Sequence, residues 1–455
     1  MPSSISDSLA GYICSVRAAD LPEEVTRKAG LCAIDYLAAA WNAHGVELST
    51  AYTDYAASMA GKTIGAAHVI GDGQLPPIWA AFANAAKGHV TETDDGHRQS
   101  IMHIGVVVMP VVLALAQERG LSGAEMLEAM ICGYDLAIRA GECFGPEHYA
   151  TFHTTGTAGT FGAAAAAAKC CKLTHEQTVW ALGHAGTQAA GVWQFLQDGA
   201  VRAKPFHPAK AVQNGMQAAL LAEAGIAGAT RIFEGDKGIC AFAAPKPRFE
   251  ALTDRLGEHF KISEVNFKAY PTCGQTHSML DATAAIMERE SITAADVKSV
   301  EANVYQRAID IAGIAEPVNL EQAKFSNQFC LAFLLTRGAL TFANFTEDVV
   351  EDAAVRELSH RVSLKFDAEM DAGFPASRPC RIVVRCKDGR VLSQENRFRK
   401  GDPENPMSAE DMQEKLEQLT GSLLSPSQRQ NIVSWALDLE HRAAVEPFLF
   451  TICDS

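Results

Sequence analysis

Through most of the first 260 positions, apolar residues recur at helical spacing. Asp20-Leu21-Pro22-Glu23 is a start signal, with an aspartate placed as N-cap and an early proline. Behind it Val25, Cys32, Ile34, Leu37 and Ala38 mark a helix that stops at Gly45. Pro76-Pro77 opens a second helix, over 77–90, and an apolar run makes a third, over 104–116. Ser122-x-x-Glu125 and Thr174-x-x-Gln177 are capping boxes ahead of helices over 126–140 and 179–190. Residues 162–168 are nearly all alanine, small enough to let neighbouring helices approach, so this segment is expected at the centre of a bundle. A further helix covers 208–224.

The pattern changes near His259. Residues 260–262 and 265–267 read as strands and 276–289 as a helix. The stretch 297–305 alternates, with Val300, Ala302 and Val304 on one face. An apolar helix follows over 321–335. Strands are expected over 361–366, 380–386 and 390–394, the last two joined by an Asp388-Gly389 turn. Helices return over 407–419 and 428–439. The architecture expected is mainly α with an α+β part. A large all-α domain is formed by both chain ends, 1–265 and 401–455, and a smaller α+β domain, 266–400, is inserted between them.

Polar residues interrupt this pattern at a few places. Between the second and third helices Asp94, Asp95, His97, Arg98 and His103 crowd one short stretch. Such a cluster between buried segments is costly unless its members pair with each other or with a ligand. Two adjacent carboxylates repel, which raises one pKa and makes a better base. Asp94 and Asp95 with His97 or His103 match no established zinc spacing, so no metal is expected. His153-Thr154-Thr155-Gly156 leads into the alanine helix, where backbone N–H groups at a helix start suit a carboxylate. Lys204 and His207 also precede a helix. A cation there is misplaced against the helix dipole unless an anion joins it. Lys268, Tyr270, Cys273 and His277 lie where the α+β domain begins, and domain junctions favour ligands.

Composition narrows the chemistry. The chain has 455 residues, 48% of them hydrophobic and 20% charged, which is globular. Its net charge is −15 with no Lys/Arg run, so neither nucleic acid nor an anionic membrane is an expected partner. No apolar run is long enough to span a bilayer, and the first residues lack the basic and apolar regions of a secretory signal. Twelve cysteines lack any C-x-x-C pair, as expected of reduced thiols in a cytoplasmic protein, and argue against zinc or iron–sulfur ligation. No G-x-G-x-x-G loop after a strand, P-loop, G-x-S-x-G elbow or H-E-x-x-H motif occurs.

The Asp94-Asp95-Gly-His-Arg segment with His103, the His153 turn, Lys204-Pro-Phe-His207, Phe267-Lys268-Ala-Tyr270-Pro and Ala323-Lys324-Phe325-Ser326 follow one another in an order that resembles the MmgE/PrpD superfamily. Its members include 2-methylcitrate dehydratase, cis-aconitate decarboxylase and iminodisuccinate epimerase. The resemblance covers nearly the whole chain. It implies a large all-α domain with a smaller α+β lid, a site between them, a homodimer and no cofactor. Carried over, the catalytic positions fall on Asp94, Asp95, His103, His153, Lys204 and Lys268. His97, Arg98, Thr154, Thr155, His207, Tyr270, Cys273 and His277 are expected around the substrate. The chain departs from the pattern at Ile104, where a proline often follows the histidine. It departs again at Cys273, which stands for a lid histidine of the decarboxylase, and at Phe329, where a tyrosine is common.

The expected function is a cofactor-free lyase. A 2-hydroxy di- or tricarboxylate would lose water after a proton is taken from the carbon α to a carboxylate. Epimerisation, decarboxylation of the cis-aconitate type, metal-dependent hydration and carboxylate binding without catalysis are the alternatives.

Overall fold

The computed structural model describes residues 4–63, 65–374 and 376–452. The chain is mostly helical with small sheets. It divides into two compact units, one of residues 1–265 with 409–455 and one of residues 266–408.

In the first unit the Thr154–Cys170 helix is buried along almost its whole length. It packs against Gly105–Arg119, Gly123–His148, His175–Gln188 and Phe206–Glu223. Small residues make this possible. A Cβ on Gly162 would lie 2.5 Å from the Ala137 Cβ, and one on Gly215 would lie 2.4 Å from that of Ala163. Both capping boxes form. The Ser122 and Thr174 hydroxyls accept the Glu125 and Gln177 N–H groups, and each partner side chain returns to the cap. The C-terminal helices Ala409–Thr420 and Pro426–Leu437 pack on Glu23–Asn42. Lys415 and Asp35 fasten the first of them there through a buried ion pair of 2.6 Å.

The second unit is built on a four-stranded sheet. Val362–Phe366 pairs in parallel with Val297–Val304, which pairs antiparallel with Cys380–Cys386, followed by Val391–Asn396. Val297, Val300, Ala302 and Val304 are buried, as are Cys380, Ile382, Val384 and Cys386 on the neighbouring strand. The His277–Glu290 and Asn327–Arg337 helices pack on the sheet and complete this core. The parallel pair needs a crossover, and the segment containing Asn327–Arg337 supplies it.

Four local expectations need correction. The segments 260–262 and 265–267 form no named strands. Lys261–Glu264 is a turn of 3-10 helix, and Phe267 bonds to Gly401 in a loop. The helix expected over 321–335 is broken, because the Ser326 hydroxyl caps a new helix by accepting from Phe329 N–H. Asp20 ends a 3-10 turn, and Glu23–Asn42 starts after Pro22 without a side-chain cap. The chain returns to the helical unit at residue 409 rather than 401, because the turn over 401–405 stays with the Phe267 loop. Among the described residues no helix is long and apolar enough to cross a membrane.

Candidate active site

The polar cluster lies on the loop between the Pro77–Val90 and Gly105–Arg119 helices. Asp95 anchors it. One of its carboxylate oxygens accepts the Ile104 and Gly105 N–H groups at 3.0 and 2.9 Å, capping a helix that has no cap of its own. The other accepts the Tyr134 hydroxyl at 2.9 Å. A Cβ on Gly105 would sit 3.0 Å from the Tyr134 oxygen, so glycine keeps this corner tight. Burial, and next the charge of Asp35, push the Asp95 carboxyl up to about 6. Repulsion from Asp94, the expected cause, is a smaller contribution. With all three bonds committed to the fold, Asp95 holds the loop's shape. Glu92 and Ile101 adopt positive φ, 58° and 50°. A β-branched residue rarely does so, and strain of this kind gathers at functional loops.

Asp94 is buried and carries two imidazoles on one oxygen. Its Oδ2 lies 2.8 Å from His89 Nδ1 and 3.1 Å from His103 Nδ1. His103 Nδ1 is also 2.8 Å from the Asp95 carbonyl, and its backbone N–H donates to the Thr155 hydroxyl at 3.1 Å. A carbonyl only accepts, so His103 Nδ1 carries the hydrogen, and in the neutral ring Nε2 holds a free lone pair. The His103 side chain is 20% exposed, whereas Asp94 is 1% exposed. Burial raises the Asp94 carboxyl, but the electrostatic pull and hydrogen bonds of the His103 and His89 N–H groups outweigh it and hold the group well below the usual range. Burial lowers His89, against the pull of Asp94. A carboxylate only accepts, so His89 donates through Nδ1.

His153 ends the loop before the alanine-rich helix. Its ring centroid lies 6.0 Å from that of His89 and 4.5 Å from Trp193. Its Nδ1 is 3.0 Å from His207 Nδ1, so one ring donates and the other accepts. Burial first, and then Lys204, His89 and neighbouring imidazoles, hold His153 well below its ordinary value. Burial also brings His207 down to about 4. Lys204 donates to Glu92. Burial disfavours its charge, but Glu92 and then Asp94 outweigh that and raise it. The anion expected beside Lys204 is thus supplied, at least in part, by the protein's own Glu92. Thr154 and Thr155 are buried, the Thr155 hydroxyl being the acceptor for His103.

His97 is committed elsewhere, with Nδ1 2.9 Å from the Ser100 hydroxyl and Nε2 3.0 Å from Glu264. Arg98 is half-buried on the same loop. In the second unit, Tyr270 donates to Asp281 at 2.7 Å, and its ring lies 5.2 Å from that of His277. His277 Nε2 is 3.1 Å from the Thr272 carbonyl. Burial, and then Arg399 and Lys268, bring it down to about 3. Lys268 and Cys273 are half-buried on the same loop, and the Cys273 N–H bonds to the Lys324 carbonyl at 2.9 Å.

Two groups have donors close enough for a metal: His89, Asp94 and His103, and His97, Glu142 and Glu264. In the first, both Nδ1 atoms already donate to one carboxylate oxygen at hydrogen-bond distance. In the second, the Lys261 ammonium lies 3.1 Å from both carboxylates and fills the place of a cation.

Comparison with known proteins gives this geometry a lineage. The MmgE/PrpD N-terminal domain matches residues 7–252, and the MmgE/PrpD C-terminal domain matches residues 270–439. The chain belongs to the MmgE/PrpD family. It is 26% identical to cis-aconitate decarboxylase of Mus musculus over 460 residues, covering 97% of this chain and 91% of that protein. It is equally similar to the Homo sapiens protein of that name over 466 residues, 97% and 92% of the two chains. The Aspergillus terreus protein is also 26% identical, over 473 residues, 98% of this chain and 95% of the relative.

Within this MmgE/PrpD chain, the helical unit brings together Asp94, Asp95, His103, His153, Lys204 and His207, and directs His97 to a separate ion cluster. Sequence reading passed over His89, Glu92 and Tyr134. His89 was counted inside the apolar run over 77–90, yet it is a fully buried polar residue five positions before Asp94. A polar residue in the buried phase of a helix, near an acid, was the available signal. Glu92 and Tyr134 carried none, because their partners are 112 and 39 residues away.

Proposed function

We propose that this protein is a lyase acting on a small di- or tricarboxylate by removing a proton α to a carboxylate. The observation that carries this reading is His103, with Nδ1 pinned on Asp94 and the Asp95 carbonyl and its ring partly open. Its Nε2 lone pair is the base. The pair from the broken C–H bond forms the double bond, and the β-hydroxyl leaves with a proton as water. Lys204 binds a substrate carboxylate and stabilises the negative charge that builds up on it in the transition state. Glu92 keeps that ammonium charged and in place. Lys268, Tyr270, Cys273 and His277 are assigned to substrate binding by family resemblance alone. No step requires a cofactor.

The family's decarboxylases support a second reading. In it the bond to a departing carboxylate breaks, and the carbanion left behind is protonated where dehydration would instead expel hydroxide. Purified protein incubated with citrate, 2-methylcitrate, cis-aconitate and chiral iminodisuccinate separates the readings. Unsaturated product without CO₂ supports dehydration, and CO₂ release supports decarboxylation. Loss of optical rotation alone supports epimerisation. Thermal stabilisation without turnover across the panel would leave a binding protein and end the lyase reading.

A further inference from the structure

We propose that His89 is a positioning residue that weakens the hold of Asp94 on His103, leaving the His103 Nε2 available to accept a proton. The proposal rests on the reading of His103 as the base. Its physical ground is the sharing of one oxygen. Asp94 Oδ2 receives both imidazole N–H groups, and the shorter contact, 2.8 Å against 3.1 Å, belongs to His89. An acceptor already engaged by one donor attracts a second less. His103 Nδ1 correspondingly divides its hydrogen between Asp94 and the Asp95 carbonyl. The other Asp94 oxygen is buried without a hydrogen-bond partner, so it offers no relief. His89 is well suited to this task. It sits in the last turn of a helix, is fully buried, and lies between the rings of His103 at 4.7 Å and His153 at 6.0 Å. Its Nε2 is likewise buried and unpartnered, so the ring stays neutral with its hydrogen on Nδ1.

The titratable and polar groups that face this cluster come from every element around it. Asp94 and Asp95 belong to its own loop, and His89 to the preceding helix. His153 and the Thr155 hydroxyl belong to the alanine-rich helix. Lys204 and His207 precede and begin the Phe206–Glu223 helix; Lys204 acts on His89 and interacts with Asp94, and His89 acts on His207. Of these, His89 alone donates to the same oxygen as His103.

The test reads the imidazoles directly and needs no substrate, so its failure is distinct from absence of turnover. Protein labelled with 15N-histidine is titrated and followed by long-range 1H–15N spectra, with His103 identified by the signal lost in His103→Gln. Removing the donor in His89→Met should raise the His103 pKa by about half a unit or more. His89→Gln, which keeps an N–H donor, should return it towards the wild-type value. An unchanged His103 titration in His89→Met overturns the proposal. If His89→Met does not fold, the wild-type spectrum decides. A neutral His89 with hydrogen on Nδ1 supports the proposal, and hydrogen on Nε2 overturns it.

Discussion

In the proposed reaction His103 and Lys204 act on opposite terms. One is an imidazole whose Nδ1 is pinned on the acid behind it, the other an ammonium kept charged by Glu92. His103→Gln and Lys204→Met should each lower turnover by ~10²-fold or more on whichever substrate the panel reveals, since each removes an interaction made in the transition state. Near-normal rates in both would remove the assignment. His207 makes a prediction about pH. Its folded value of about 4 lies below the usual histidine value of about 6.5, so the unfolded chain binds the proton more tightly. Its contribution is present above pH ~6.5 and is lost as pH falls towards 4, by up to about 3 kcal/mol. Asp95, raised to about 6, works in the other direction and loses stability as pH rises from ~4 to 6. The clean measurement is therefore relative. Between pH 7 and pH 5 the melting temperature of His207→Gln should move upward against wild type. A constant difference between the two proteins would show that His207 does not titrate this way. At this scale the candidate list was largely readable, because acids, imidazoles and cations inside helical patterning stand out. Their roles were not. Two adjacent aspartates look alike in a sequence, and only the helix N-terminus at Gly105 makes Asp95 a cap and leaves Asp94 to the histidines.

At the scale of elements, the alanine-rich helix works because nothing on its neighbours projects. Gly162→Ala would set a methyl 2.5 Å from the Ala137 Cβ and 2.8 Å from the Gly133 carbonyl, contacts that must force a shift. Overpacking of this sort should destabilise the helical unit by about 1–3 kcal/mol in denaturant titration. Gly73→Ala, with nothing within 4 Å of the new atom, should stay within about 0.5 kcal/mol of wild type. Equal effects would mean that the close approach is not what glycine provides. Periodicity and capping boxes made the long helices legible. The segments that misled were short. Residues 260–267 are apolar enough for strands, yet Lys261–Glu264 forms a 3-10 turn and Phe267 bonds to Gly401 instead. Within 321–335, the side chain of Ser326 restarts the helix, a choice that hydropathy does not register.

At the scale of the whole chain, Lys415 ties residues 380 positions apart. Its ammonium donates to Asp35 at 2.6 Å and to the Thr93 carbonyl at 2.7 Å, directly before Asp94. Lys415→Met should cost about 3–5 kcal/mol, because it removes the ammonium paired with the buried Asp35 carboxylate. The Asp35→Asn/Lys415→Met pair, which removes both charges, should recover much of that loss. Recovery absent from urea unfolding would mean that the charge pairing is not the source of the cost.

The sequence by itself determined that the chain is mainly helical with a smaller strand-bearing part, where most of the long helices run, and where polar groups break the apolar pattern. These properties depend on neighbours a few positions apart, which periodicity and capping record. Tertiary structure alone decided that His89 and His103 share Asp94, that Glu92 rather than a ligand first meets Lys204, and that Lys415 reaches under the loop. Those pairings join loop residues to side chains on other elements, and their energies depend on burial and on distances of about 3 Å, which helical periodicity does not encode.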